Sequence, residues 1–556
     1  MRHFTKEAQE MLTLPFDALP DTPQLFRDYA ANAESASTYF MGHFGGLAAY
    51  ETHLHMLEQR QYPRQQLYDL LVAQNKVFRS GEAGFANLEL LRKDNTMAVV
   101  TGQQVGLGTG PLYTLYKALT ACSLAQWLDE QFPAYRFVPI FWMECEDHDF
   151  LEINHFSVIS AQGGIADIHY AQPEEGAPRN IAPVGSLAID ERIAESFAAL
   201  REALPRTEFT DEALRIAEHA YAAGNTPQVA FAQMMNALYP DAGLIFLDPT
   251  DTAFKRLAAP VLLQEIETHP VTGEEVIKRS AELEERYHAQ IKPRAVNLFL
   301  LHKDGRYPIE PYDGGFFLKG TRQRFTREEM VELAEREPER FSPNVLLRPI
   351  TQDFVLPTTA YVAGPSEVSY FAQLQPAYDH FRVPMPVIVP RASISIVERH
   401  IDKVFAKYDL PYAAAFLDIE AMHRIAATDK PDEGTRLDLA ALREGLRATL
   451  EDLAATAAAE DANLADPAAA TAKSIDRAFD TFEEKVLASR RRRDEVMMRQ
   501  LEKLALALFP DGAPQERRIN ILSLLNKYGP DVLRRIQALC TPFPAEHRLL
   551  LLGKED

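Results

Sequence analysis

The spacing of apolar positions changes several times along the chain. Through Phe44, Leu47, Tyr50 and Leu54, and again through Leu67, Leu70, Leu71 and Val77, it is three or four, which predicts a helical layer over residues 1–95. The apolar run Met97–Val100 then predicts a buried strand. Leu112–Glu130 predicts a helix burying Leu115, Leu119, Cys122 and Leu128, and Phe137–Met143 a second strand. A strand, helix and strand of these lengths read as a βαβ unit with parallel strands. The rhythm stops over 151–240, where alternating segments such as Ile165–Tyr170 mix with proline-rich loops. It returns at Gly243–Leu247, with a helix from Thr252, and stops again over 270–345, which holds the strand-like Asn297–His302 and the turn Asp313-Gly-Gly315. Thr359–Ala363, a helix Ser366–Phe381 and Pro386–Val389 resume it.

One α/β sheet with two insertions follows. Residues 1–150 are the first part of the core with its helical layer, 151–240 the first insertion, 241–269 a core strand and helix, 270–345 the second insertion, and 346–397 the rest of the core. Residues 398–510 are rich in Ala, Glu, Leu and Arg. Leu439, Leu442, Leu446, Leu450 and Leu453, then Ile475, Phe479, Phe482 and Val486, then Leu501 and Leu504, predict two long helices packed as a coiled coil with a partner chain. Residues 511–556 read as a tail packing on the core, and Arg490–Arg493 as a solvated helix face.

Composition narrows the function classes. The net charge of −22 disfavours nucleic acid or an anionic membrane as the main partner. Cys122, Cys145 and Cys540 stand singly, which suits a reducing compartment and gives no zinc motif. No apolar run approaches the roughly 20 residues of a membrane span, and MRHFTKEAQEML has no signal-like core. These features predict a cytoplasmic protein.

Candidate chemistry collects where strands end. Thr101-Gly-Gln-Gln-Val-Gly-Leu-Gly-Thr-Gly-Pro111 joins a strand to a helix, a setting that offers free N–H groups to phosphate or carboxylate. It lacks the Rossmann spacing and the Walker lysine, and an ordinary strand-to-helix loop fits equally well. Ligands of such sheets bind beyond the carboxyl ends of the strands. That edge should gather Thr101–Gly110, Glu144–Asp149, Asp248–Asp251, Gly364–Glu367 and Arg391. In Glu144-Cys-Glu-Asp-His-Asp149, His148 is a candidate general acid or base that Asp147 or Asp149 would orient. Were 148–155 helical, His148, Glu152 and His155 would share a face as metal ligands. Cys145 is a nucleophile in one reading and packing in another. Lys117 could reach an anion, as could Arg391, and Gln103 and Gln104 a neutral polar group. Ser366 would cap a helix whose dipole favours Glu367, and Gln352-Asp353 could add polar contacts.

The motifs Thr101-Gly-Gln-Gln-x-Gly-Leu and Gly110-Pro-Leu-Tyr-Thr-x-Tyr-Lys117 resemble those of the bacillithiol-synthesis family BshC. So do Phe141-Trp142, Glu146-Asp-His-Asp-Phe150, Glu152-Ile-Asn-His155, Leu347-Arg-Pro349 with Gln352-Asp353, and Ala360-Tyr-Val-x-Gly-Pro365 with Glu367 and Tyr370. Pro390-Arg391 and the tail residues Glu516-Arg517, Asn520 and Tyr528-Gly529 extend the likeness over essentially the whole chain. Gly108 stands where the family pattern has an aromatic residue, and Ser366 where it has glycine.

The resemblance implies a Rossmann-like core of nucleotidylyltransferase type with two connecting-peptide insertions and a C-terminal coiled coil that makes a homodimer. It implies a ligase that adds L-cysteine to the amine of glucosaminyl-malate, using ATP or ADP and no metal. It places Tyr113, Gly110, Asn154, His155, Gln352, Asp353, Glu367 and Tyr370 beside Gln103, Gln104, Lys117 and Arg391 at the substrates. Asn520, Lys527 and Tyr528 would form a second nucleotide site. The chain lacks a His-x-Gly-His signature after its first strand and a Lys-Met-Ser-Lys-Ser loop, which leaves a cysteinyl-adenylate open. A nucleotide-binding scaffold and a metal-dependent hydrolase are the alternative classes.

Overall fold

The computed structural model describes residues 12–173, 180–303, 305–428 and 439–553, without the side chains of 440, 487 and 489–494. The segment up to residue 11 therefore lies outside the described residues, as do the side chains of the basic cluster Arg490–Arg493.

Five parallel strands make the central sheet: β1 (Thr96–Gln104), β2 (Arg136–Glu144), β3 (Ile245–Leu247), β4 (Thr358–Ala363) and β5 (Val387–Pro390), in the order β5-β4-β1-β2-β3. Met97, Ala98, Val99 and Val100 of β1 are all buried, as a central strand covered on both faces requires. The strand outruns its apolar stretch. Gln103 and Gln104 stay in register with Met143 and Glu144, so the start of the expected loop, Thr101–Gln104, is sheet. Gly102 is needed there because an added Cβ would lie 3.1 Å from the Trp142 carbonyl oxygen and 3.2 Å from its Cβ. Helix α1 (Leu112–Gln131) follows β1 and buries Leu115, Leu119 and Leu128, with Cys122 half-buried. The chain runs outward from β1 through β2 to β3 and later from β4 to β5. The order thus reverses between β1 and β4, where ligands of open α/β sheets bind.

Helices α2 (Thr252–Thr268), α3 (Leu347–Val355) and α4 (Pro365–Phe371) flank these strands. The expected helix Ser366–Phe381 is two helices, α4 and Gln375–Phe381. Pro376 has no N–H for a continuing ladder and fits only the first turn of a new helix. Gly364 caps α4, with Ser366 inside its first turn.

The first insertion holds the hairpin His155–Ile159 with Ile165–His169 and three helices, Ile193–Ala203, Thr210–Ala220 and Pro227–Leu238. The second holds the helix Val271–Glu284 and a sheet built around Leu298–His302. In the N-terminal layer Tyr50, Leu54, Leu67, Leu70 and Leu71 are buried, while Leu47 and Val77 sit exposed at helix ends. A third sheet has no counterpart in the expected elements: His547–Leu552 pairs antiparallel with Leu12–Leu14 and neighbours Ile394–Glu398.

The described residues of 397–511 with 551–553 form a second compact unit. Its helices Leu439–Glu460 and Ala465–Leu508 make an antiparallel hairpin, with Arg443 paired to Asp480 and Glu483, each at 2.5 Å. Pro467 sits in the first turn of the longer helix, where its missing N–H is harmless. No helix among the described residues is long and apolar enough to cross a membrane.

Candidate active site

The carboxyl ends of β1 and β4 open into a cavity of about 330 Å³ whose charged lining is Lys117, Arg348, Arg391 and Arg517 with Glu144, Glu152 and Glu367. A smaller hollow of about 100 Å³, lined by Gly110 and His155 among others, shares Gln103, Gln104, Tyr113, Glu152 and Arg517 with it.

Three of the four cations are committed to the protein. Lys117 has its Nζ 2.5 Å from the Gly102 oxygen, 3.2 Å from Gln103 Oε1 and 2.5 Å from Glu367 Oε2, which occupies all three hydrogens. Burial lowers its ammonium pKa, and Glu367 offsets only part of that. Arg391 donates to Glu516 Oε1 and to the Ala392 carbonyl, each at 2.7 Å, and lies over the Tyr113 ring at 5.4 Å. Arg348 faces Glu144 at 3.7 Å and donates to the Tyr370 hydroxyl at 3.0 Å. Glu367 is held from three sides. Besides Lys117 it accepts from Tyr361 at 2.9 Å and from the Gly364 N–H at 2.7 Å, the expected favourable place at a helix start.

Two carboxylates of the wall have raised pKa values. Glu144 is raised by burial, against the pull of Arg348. Glu152 lies at the exposed rim of the wall; partial desolvation and then repulsion from Asp147, Asp149 and Glu144 raise its carboxyl. Among the described residues Glu152 has no ion-pair partner.

The glycine loop is closed where an anion cradle would be open. The N–H groups of Gly106, Thr109, Gly110, Leu112 and Thr114 donate to the Gln104 carbonyl, the Tyr221 hydroxyl and the carbonyls of Leu107, Ile519 and Pro111. Asn520 clasps the loop from outside, its amide donating to the carbonyls of Gly108 at 2.8 Å and Gly110 at 2.7 Å. These five N–H groups are not available to an anion, which breaks the expected row of free donors.

The structure thus gathers Gln103, Gln104, Gly110, Tyr113, Lys117, His155, Glu367, Tyr370 and Arg391 around the two hollows. It places the others elsewhere. His148, Asp147 and Asp149 follow β2 but line neither hollow. His148 Nδ1 is 3.0 Å from Asp147 Oδ1, which also takes Arg306 at 3.3 Å. Glu146 is buried against Lys255. Cys145 is core: its buried thiol meets Asp248 Oδ1 at 3.3 Å and burial raises its pKa. Asn154 is buried with its amide on the Tyr170 carbonyl at 3.1 Å. Gln352 and Asp353 are buried and line neither hollow, Asp353 accepting from Tyr378 at 2.6 Å, with burial raising its pKa to about 6.

Asn520 is fully buried and its amide hydrogens serve the glycine loop, so it does not present them to a nucleotide. Lys527 lies 5.6 Å from the Tyr528 ring at the end of the helix Ile521–Tyr528. The common metal-ligand face also fails. Helix spans only Phe150–Ile153, with His148 before it and His155 opening a strand. Among the described residues no three His, Cys, Asp or Glu side chains are grouped to hold a metal ion. Sequence reasoning passed over Glu144 as an individual site residue, and over Arg348 and Arg517. The last two stand inside quoted motifs, and only the fold shows which way they face.

Residues 13–392 match the family model described as the N-terminal Rossmann-like domain of bacillithiol biosynthesis BshC, and 394–552 match its C-terminal coiled-coil domain. The chain is 39% identical to a Chlorobaculum tepidum protein named "Putative cysteine ligase BshC", over 95% of this chain and 96% of that one. It is 36% identical to a protein of the same name from Prosthecochloris aestuarii, over 95% and 96% of the two chains. For one from Salinibacter ruber the identity is 37%, over 93% and 94%.

Proposed function

The chain belongs to the BshC family of bacillithiol biosynthesis, and on that premise we propose that it joins L-cysteine to the amine of glucosaminyl-malate. The observation that carries this reading is the cavity at the sheet's switch point, whose wall carries Lys117, Arg348 and Arg391 together with Glu152, a carboxylate with no ion pair among the described residues. An amide forms from a carboxylic acid only when the carboxyl is activated, and ATP enters as the co-substrate for that step. The closed glycine loop is given no part in it. In the joining step the amine nitrogen bonds to the cysteine carboxyl carbon and the activating group leaves with its bonding pair. Glu152 takes the proton released by the amine, and a carboxylate of raised pKa is the stronger base for that task. His148 is the second reading for the base, carried by its contact with Asp147.

The full chain incubated with glucosaminyl-malate, cysteine and ATP should release a thiol whose mass is that of the two joined substrates less one water. Without ATP no product should form. Wild type that binds both substrates and releases nothing in the complete mixture would instead be a binding scaffold.

The same reading makes the protein a cytoplasmic homodimer through the helical hairpin. Leu442, Leu453 and Phe482 are 44%, 52% and 43% exposed along it, and a second copy would cover them. Sedimentation equilibrium should give twice the chain mass of 62.6 kDa. A single-chain mass at micromolar concentration would remove the dimer.

A further inference from the structure

We propose that Arg517, on the C-terminal tail, binds a carboxylate of the malyl group of the amine substrate. This rests on the functional reading above and adds a residue that sets which amine is accepted.

Arg517 borders both hollows. It is the one cation of the main cavity with no ion pair or hydrogen bond among the described residues. Lys117, Arg348 and Arg391 each face a glutamate, and the adjacent Arg518 is taken up by Asp167 at 3.1 Å. Among the described residues the Arg517 guanidinium meets the Tyr113 ring, at 5.9 Å. Stacking of this kind leaves its hydrogen-bond donors available to an oxygen pair. Among the described residues two polar atoms of the same wall, Gln104 Oε1 and Arg348 Nη1, are also without hydrogen-bond partners, as befits a surface that a polar ligand completes.

The arginine is displayed from fixed backbone. Before it, Gln515 exchanges two hydrogen bonds with Ile396, at 2.8 and 3.1 Å, and Glu516 accepts from Arg391, Ser393 and the Ile394 N–H. After it, the Ile519 carbonyl accepts from Leu112 and the Asn520 N–H donates to Ser157, each at 2.9 Å. The backbone that carries Arg517 is thus held on both sides, while its side chain is exposed at the cavity rim.

The chemistry selects the anion. The cysteine carboxylate loses its charge on activation, so a permanent cation would hold it only before the reaction. The two malyl carboxylates keep their charge from start to finish and suit a fixed guanidinium.

Full-length wild type, Arg517→Ala and Arg517→Lys would be titrated calorimetrically with glucosaminyl-malate, and the KM for each substrate measured. Arg517→Ala should weaken glucosaminyl-malate binding about 10- to 100-fold, the range for a lost charged hydrogen bond. Arg517→Lys should recover part of that loss, and the KM for cysteine should not move. Unchanged binding in Arg517→Ala, or a rise in the KM for cysteine alone, overturns the assignment while leaving the ligase reading intact. Wild type that binds no glucosaminyl-malate overturns both.

Discussion

Glu516→Ala is expected to cost the folded chain about 3–5 kcal/mol, the usual penalty for stranding one member of a buried ion pair. Arg391 and Glu516 are each only 4% exposed in their side chains. Burial alone pushes the Glu516 carboxyl up, yet Arg391 and the Ile394 N–H bring it net below its ordinary value. Arg391 is held above its own ordinary value by the same contact. Both shifts say that pairing outweighs desolvation here, whereas at Lys117 desolvation wins.

The sign with pH follows from that direction. A carboxyl depressed by folding contributes stability above its unfolded pKa and loses it as the pH falls through the folded one. Urea unfolding at neutral pH should therefore show the full loss in Glu516→Ala, with the gap to wild type closing in acid. The double variant Arg391→Met with Glu516→Leu should recover much of the stability. It should not recover turnover, because Arg391 lines the cavity. A loss below about 1 kcal/mol in the single variant, the scale of an exposed pair, would mean that the pair is not buried in solution.

That pair also shows what could be read in the sequence. The parallel core was legible because its strands are continuous apolar runs and its crossover helix buries one face at a period of 3.6 residues. The end of β1 was less so. Gln103 and Gln104 look like loop, and only pairing to β2 keeps them extended. The glycine loop misled for a related reason. Local sequence shows how many N–H groups a turn carries, but not that Tyr221 and Ile519, each more than 100 residues away, occupy two of them. In the same way the spacing of His148, Glu152 and His155 suits a helix that ends at Ile153.

The tail is the strongest case of this kind. Nothing local to Glu516, Arg517 or Asn520 says that one pairs with a core arginine, the next enters the cavity and the third clasps the glycine loop. Each relation joins residues separated by most of the chain or by the whole helical hairpin. Family resemblance flagged these positions as a group and gave Asn520 to a nucleotide, whereas in the fold its amide serves the loop.

Glu152→Gln should lower kcat by about 10²–10⁴-fold, the range that one general base supplies, while the chain remains as stable as wild type to within about 0.5 kcal/mol. The second expectation follows from the absence of any ion pair to Glu152 among the described residues, so its removal strands no charge. The base must be ionised to take the amine proton, and its pKa is raised. Activity should therefore fail on the acid side at a higher pH than an ordinary carboxylate would set. Removing one of the charges that repel it gives a directional check. Glu144→Gln should move that acid limb to lower pH, since Glu144 contributes to the raised value. His148→Ala separates the two bases. If Glu152 is the base, this variant keeps kcat within a few-fold of wild type, because His148 lines neither hollow. A collapse of kcat in His148→Ala beside near-normal turnover in Glu152→Gln would transfer the role to His148 and require the loop after β2 to close over the cavity during turnover.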